Sequence, residues 1–244
     1  MEKKEWFAEW FDTTYYHTLY KDRDYLEAKR FIAQLVDFLE LPEGAKILDL
    51  ACGKGRHSVM LNALNYNVTG VDLSPCSIAE AKKSETSGLS FLVHDMRDVL
   101  NKAQFNAVFN LFTSFGYFDS LTDNLKVMSS VHQMLVENGI FVIDFMNAER
   151  VIRTLVEEEI KEVDGIRFHI KRRFDGDHIF KDISFSDEGK NFAYTERVQA
   201  LKLEHFNRML TTSDFEILRT FGDFDLNEFN PISSDRLILI AQKK

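Results

Sequence analysis

The chain has 244 residues, 45% of them hydrophobic and 28% charged, with a formal net charge of −9. That length supports one substantial core, and the acidic balance weakens attraction to phosphate backbones, which disfavours a nucleic-acid partner. No apolar run approaches the roughly eighteen residues of a membrane span, the charged start Met1-Glu2-Lys3-Lys4 leads into no signal-like core, and Cys52 and Cys76 show no metal or disulfide spacing. A reducing cytoplasm fits these bounds best, with a monomer or homodimer and no metal expected.

Residues 5 to 20 carry a run of aromatics, Trp6, Phe7, Trp10, Phe11, Tyr15, Tyr16 and Tyr20. They read either as a lid over a neighbouring pocket or as a leader wrapped around the next helix. From about Asp22 the period becomes helical: Ala28, Phe31, Ile32, Leu35 and Leu39 share one face, and Pro42 and Gly44 stop the helix.

Next comes Lys46-Ile47-Leu48-Asp49-Leu50-Ala51-Cys52-Gly53-Lys54-Gly55-Arg56-His57. A short apolar run entering a glycine turn reads as a buried parallel strand feeding a helix, here about 56 to 64. Gly53 and Gly55 let the backbone approach a ligand where a Cβ would collide, and the helix start aims free N–H groups at the same spot. A dinucleotide fingerprint wants a third glycine; the chain has Ser58 there, and the acid Asp49 suits a cationic group better than a pyrophosphate. An NAD dehydrogenase is therefore the weakest reading.

A second strand, Asn67 to Asp72, ends in an acid, and Ser74-Pro75 reads as an N-cap followed by proline at the first helical position. Asp72 lies about twenty residues beyond the glycine turn, where a carboxylate binds both hydroxyls of a ribose. A third strand, Ser90 to Met96, again ends in an acid, Asp95, and a fourth spans about 105 to 112. Leu121, Leu125, Met128, Val131 and Leu135 stripe the next helix, Asn138-Gly139 is expected to end it, and Ile140 to Asp144 to form a fifth strand.

Alternating strands and helices over 46 to 145 mean βαβ units and a parallel sheet, with Asp49, Asp72 and Asp95 at three successive strand ends, where open α/β sheets bind ligands. This set, with the pattern D-L-A-C-G-K-G-R, resembles the class I S-adenosylmethionine-dependent methyltransferases, well over about 22 to 145 and more loosely over the last forty residues. The resemblance implies a Rossmann-like α/β fold, a mostly parallel seven-stranded sheet closed by a C-terminal antiparallel hairpin. It also implies S-adenosyl-L-methionine as cofactor: Asp49 facing its amino group, Asp72 its ribose, Asp95 the adenine amino group, and Met96 the ring. Tyr20, Arg23, Ala51, Gly53, Arg56, Leu73, Asn110 and Leu111 complete the expected cofactor site, with Arg23 and Arg56 facing the cofactor carboxylate or a substrate acid.

After Asp144 the period changes. A helix is expected over 148 to 158, then three extended runs (166 to 174, 178 to 185, 192 to 201) punctuated by Asp175-Gly176 and Glu188-Gly189. They form an antiparallel β insertion, about 160–201, which caps the active site in several small-molecule members of the family; a dimer surface is the other reading. A helix from Leu203 to about Thr212 and strands at 215 to 221 and 236 to 241 finish the chain. The whole of 1–244 is expected to be one methyltransferase domain: lid and helix over 1–40, cofactor core over 45–145, the insertion, and core again over 203–244.

Methyl transfer from a sulfonium is an in-line displacement governed largely by positioning, and a base is needed only if the nucleophile arrives protonated. No residue is assigned a catalytic role. Tyr15, Tyr20, Phe112, Phe115 and Tyr117 are candidates for cation–π contact with the sulfonium. Arg167, Lys171, Arg172 and Arg173 form a basic cluster that fits either an acidic substrate or protection of an exposed strand. The expected activity is methylation of a small-molecule N or O nucleophile. The alternatives are a non-catalytic cofactor-binding regulator and an aminopropyl transferase, against which Asp49 argues. Asn110-Leu111-Phe112-Thr113 stands where enzymes methylating base amino groups carry an N/D-P-P-Y/F tetrapeptide, which argues against a nucleic-acid substrate.

Overall fold

A computed structural model describes residues 6–21 and 25–244. In chain order the elements are α1 (Trp6–Trp10), α2 (Thr14–Leu19), α3 (Tyr25–Leu39), β1 (Lys46–Leu50), α4 (Arg56–Ala63), β2 (Asn67–Asp72), α5 (Pro75–Ala81), β3 (Leu89–Val93) and β4 (Phe105–Asn110). Then follow α6 (Leu121–Met134), β5 (Leu135–Met146), α7 (Ala148–Arg153), β6 (Glu158–Val163), β7 (Ile166–Phe174), β8 (His178–Asp187), β9 (Lys190–Gln199), α8 (Leu203–Thr212), β10 (Phe215–Phe221) and β11 (Arg236–Lys243).

The main sheet has seven strands in the order β10-β11-β5-β4-β1-β2-β3. β1 through β5 pair in parallel, while β11 runs antiparallel to both β5 and β10. Alternate residues of the central strands go to opposite faces. Ile47 packs with Phe31, Met60 and Ile78 of α3, α4 and α5; Leu48 and Leu50 pack with Val127, Met128, Phe206 and Leu210 of α6 and α8. Helices therefore cover both faces, and strand order reverses between β1 and β4, the crevice where open sheets bind ligands. Phe91 fills a slot that only glycines permit: a Cβ on Gly55 or Gly70 would lie 2.5 Å from its ring.

Several boundaries differ from the sequence reading. α6 ends at Met134 and β5 begins at once, so Asn138-Gly139 ends no helix. It forms a bulge inside the strand instead: Asn138 has φ 60°, and the pairing with β4 slips between Phe105↔Leu135 and Ala107↔Ile140. α7 stops at Arg153, and 158–163 becomes a fourth strand of the insertion. Its turn was legible: Val163 pairs with Ile166 around Asp164-Gly165, both with positive φ, the two-residue hairpin that Asp-Gly favours.

The insertion is a separate antiparallel sheet, β6-β7-β8-β9. Its apolar face, Phe168, Ile170, Ile183 and Phe185, packs against Trp10 and Leu19. The aromatic N-terminal segment is thus two short helices held between the second sheet and the main core, with Phe7 edge-on to Phe118 on the core side.

Candidate active site

A cavity of about 540 Å³ opens over the C-terminal ends of the central strands, within the size range of small-molecule sites. Its floor is the turn after β1. Ala51, Gly53 and Gly55 all take left-handed backbone conformations (φ 65°, 56° and 79°), and Gly55 is the N-cap of α4. A Cβ at Gly53 would meet nothing within 4 Å. Cys52 joins the lining; burial pushes its thiol up, so it is a neutral wall and no nucleophile.

Asp72 lines the cavity at the end of β2. Its Oδ2 accepts the Gly53 N–H at 2.8 Å and its Oδ1 the Ser74 N–H at 2.8 Å, so the acid aligns the glycine turn with the start of α5. Burial pushes its carboxyl above the ordinary range, and these two backbone bonds oppose the rise. Asp95 also lines the cavity. Burial alone would raise it, but the Arg97 guanidinium, donating from Nε at 3.0 Å and from its terminal nitrogen at 2.6 Å, holds it below the usual range. Met96 sits beside it, its carbonyl accepting from Ser130 Oγ at 2.6 Å.

Of the expected cofactor residues, Tyr20, Ala51, Gly53, Arg56, Asp72, Leu73, Asp95, Met96 and Leu111 come together around this cavity. Asp49 does not line it. Strand alternation turns Asp49 to the α4 face, where the carboxylate is 1% exposed and accepts from Ser58 Oγ at 2.6 Å. Its direct contact with a cofactor amino group is therefore corrected to a place beneath the turn, against the serine that replaces a third glycine. Burial pushes its carboxyl up to about 6, with the Ser58 bond opposing and the Asp72 charge adding to the rise. Asn110 is likewise withdrawn, fully buried, its Nδ2 donating to the Leu50 carbonyl at 3.0 Å; it ties β4 to β1 while Leu111 reaches the cavity. Arg23 lies outside the described residues.

Among the aromatic candidates Tyr20, Phe112 and Tyr117 line the cavity. Tyr15 instead reaches the second sheet, its hydroxyl 2.9 Å from Asp187, and Phe115 is buried against Phe206. Phe7, Phe11 and Tyr16 of the aromatic run also line it, and His17, His57 and Phe118 are lining residues missed from the sequence. The clustering of Phe7, Phe11 and Tyr16 in an aromatic leader was the available signal, but which rings turn inward depends on packing. The guanidinium of Arg56 sits 4.8 Å over the Phe112 ring.

No residue of β6–β9 is among the lining residues, so the insertion covers the cavity only through the lid. Glu196 on β9 accepts from Trp10 Nε1 at 2.7 Å and lies 2.8 Å from the Tyr20 hydroxyl, and Lys181 also contacts that hydroxyl. The basic cluster is spent within the sheet: Lys171 pairs with Glu158, Arg172 with Glu159 and Arg173 with Asp182, while Arg167 faces a shallow groove elsewhere. It lines no part of the cavity, so an acidic substrate finds no support there. Among the described residues there is no cluster of three or more His, Cys, Asp or Glu suited to a metal, and no helix is long and apolar enough to cross a membrane.

A glycine turn beneath a doubly wound sheet, with carboxylates after β2 and β3 facing one cavity, defines a protein that holds a nucleoside cofactor at the switch point. The comparisons make this specific. The family described as "Methyltransferase domain" matches residues 41–200. YqeM of Bacillus subtilis (strain 168), which is named as a methyltransferase, is 30% identical over 213 residues, 83% of this chain and 86% of its own. A glycine/sarcosine N-methyltransferase of Parasynechococcus marenigrum is 26% identical, over 81% of this chain and 71% of its own. An S-adenosylmethionine-dependent methyltransferase from Clostridium acetobutylicum shares the fold with a TM-score of 0.80, at 23% identity over 94% and 96% of the two chains. The chain belongs to the class I S-adenosylmethionine-dependent methyltransferases. It is a methyl-transferring enzyme, and S-adenosylmethionine is its cofactor.

Proposed function

We propose that this enzyme methylates a nitrogen of a small-molecule amine in the cavity beside the aromatic N-terminal segment. The observation that carries this reading is the size and make-up of the cavity: about 540 Å³, bounded by the glycine turn and by the aromatic side chains Phe11, Tyr16, Tyr20 and Tyr117. Such a chamber suits a small acceptor and not a polymer. The kinship with a glycine/sarcosine N-methyltransferase favours nitrogen over oxygen.

In this reading Asp72 accepts from the ribose hydroxyls, Asp95 from the adenine amino group, and the Met96 N–H and Leu73 side chain contact the ring. Ala51, Gly53 and Leu111 supply close backbone approach, and Arg56 and Tyr20 face the carboxylate end. Asp49 and Asn110 act one layer back, through Ser58 and the β1 carbonyl. The open position at Gly53 supports this fit, because a side chain there would enter the cavity. The cofactor supplies an electrophilic methyl on a sulfonium with a neutral leaving group. The rings of Tyr20, Phe112 and Tyr117 favour that cation by on the order of 1 kcal/mol each, and the walls hold the amine in line and exclude water. A neutral amine needs no base to attack. We further infer that the chain works as one unit in the cytoplasm, a placement that two free cysteines support.

The test has two arms. S-adenosylmethionine and S-adenosylhomocysteine should each raise the unfolding temperature, by about 2.7 kcal/mol of stability at a hundred times the dissociation constant, whereas decarboxylated cofactor and NAD should not. Glycine, sarcosine and a panel of larger primary and secondary amines, with alcohols and phenols of matching size, are then screened for S-adenosylhomocysteine release. Turnover confined to alcohols or phenols would overturn the choice of nitrogen. Cofactor binding with no turnover on any nucleophile would favour the regulator reading.

A further inference from the structure

Behind the cavity wall lies a buried ion pair that the cofactor reading leaves unused. Asp144, at the end of β5, has a fully buried side chain, and Arg236, at the start of β11, is only 18% exposed. Asp144 Oδ1 accepts from Arg236 Nε at 2.7 Å. Its Oδ2 accepts the Phe112 N–H at 2.8 Å, and its carbonyl accepts the Thr113 N–H at 2.9 Å. The far end of the guanidinium donates to Thr113 Oγ1 at 3.0 Å. Both donors therefore sit on the loop that leaves β4 at the cavity.

That loop is strained where the pair holds it. Phe112 and Thr113 have φ of 57° and 61°, a region that side chains other than Gly, Asn and Asp rarely enter, still less a β-branched threonine. Successive left-handed residues persist only where surrounding contacts over-determine them. The outcome is the placement of one ring. Phe112 stacks on His57 at 4.8 Å and 27°, and on Phe224 at 5.1 Å and 22°; the Arg236 guanidinium lies 5.4 Å over Phe224. His57, Phe112 and Arg56 all face the cavity.

We propose that Asp144 and Arg236 are a positioning pair: they force the turn after β4 into its left-handed form and so set the Phe112 ring as the wall against which the acceptor is aligned. This rests on the reading of the chamber as the acceptor site. Neither residue touches the cavity; both act through Phe112 and Thr113. The Arg236 fork is suited to the task because it reaches Asp144 and Thr113 at once, which a lysine ammonium does not.

Asp144→Asn, Arg236→Gln, Arg236→Lys and the double variant D144N/R236Q test this. In Asp144→Asn one amide face must meet a donor, either the Phe112 N–H or Arg236 Nε, so a bond is lost. In the double variant the Asn oxygen keeps the Phe112 N–H while the Asn amide donates to the Gln carbonyl, so the pairing that holds the turn is restored without charge. Three readouts are taken: S-adenosylhomocysteine affinity by calorimetry, the His57 C2–H proton resonance (assigned by its loss in His57→Gln), and kcat and KM for the amine found in the screen. In the single variants cofactor affinity should stay within about twofold, the ring-current shift of His57 should collapse, and kcat/KM should fall at least about tenfold; the double variant should recover most of both losses. An unchanged His57 resonance in folded Asp144→Asn would overturn the proposal. Cofactor affinity falling in step with activity would also overturn it, by making the pair merely structural. If no amine is turned over, the proposed function fails separately, and the resonance and calorimetry still decide the role of the pair. Should the single glutamine variant fail to fold, Arg236→Lys retains the charge and gives the same resonance test.

Discussion

Asp49→Asn separates what the buried acid does for stability from what it does for binding. Burial beneath the glycine turn lifts this carboxyl from 3.8 to about 6, against the pull of its Ser58 hydrogen bond. A carboxyl whose folded pKa is raised contributes stability that is fully present below the unfolded value and is lost as pH rises through the folded one. The displacement corresponds to about 3 kcal/mol at pH 7 and above. Asparagine preserves the acceptor for Ser58 and carries no charge, so Asp49→Asn should be the more stable protein, by up to about 3 kcal/mol at pH 8 and about half that at pH 5. Urea unfolding at the two pH values reads this directly, and S-adenosylmethionine affinity of the same variant should fall, because the wild-type negative charge under the turn favours the cationic cofactor. An equal gain at pH 5 and pH 8, or a loss at pH 8, would refute the claim that the acid is held against its own solvation.

Asp72→Ala should weaken S-adenosylhomocysteine binding by roughly 1.5–3 kcal/mol, the range for hydrogen bonds to a charged group; unchanged affinity by calorimetry would remove Asp72 from the cofactor site. Gly70→Ala puts a Cβ 2.5 Å from the Phe91 ring and 2.9 Å from Ser58 Oγ, so it should cost about 1–3 kcal/mol in chemical denaturation, and Phe91→Leu in the same chain should recover part of the loss. Glu196→Gln removes the charge that gathers Trp10, Tyr20 and Lys181. Amide hydrogen exchange should then quicken over residues 6–21 while β1, β4 and β5 stay protected; unchanged exchange would mean that apolar packing alone holds the lid.

Much of the fold was legible because local patterns and the global layout agree. The apolar run 47–50, its glycine turn, and the Ser74-Pro75 helix start each specify backbone over a few residues, and each lies where the periodicity put it. What misled was a local signal with two uses. Asn138-Gly139 is as good a bulge as a helix stop, and pairing of β5 with β4 decides between them. Asp164-Gly165 signalled a fourth strand of the insertion, but a polar run such as 158–163 reads as strand only once its partner is known.

The sequence alone was enough for the resemblance to the methyltransferase family and the cofactor that it implies, because the D-L-A-C-G-K-G-R motif and the acids at successive strand ends are local features of the chain. Only the tertiary structure decided which face each acid takes. Asp49 and Asn110 sit one residue from Leu50 and Leu111, yet strand alternation withdraws the polar members and exposes the apolar ones to the cavity. It also decided that the aromatic segment, and not the second sheet, lines the cavity, and that Asp144 and Arg236 meet behind Phe112. Those contacts join residues 92 apart or more, and no local periodicity carries information about which distant side chains the packing of two sheets will bring together.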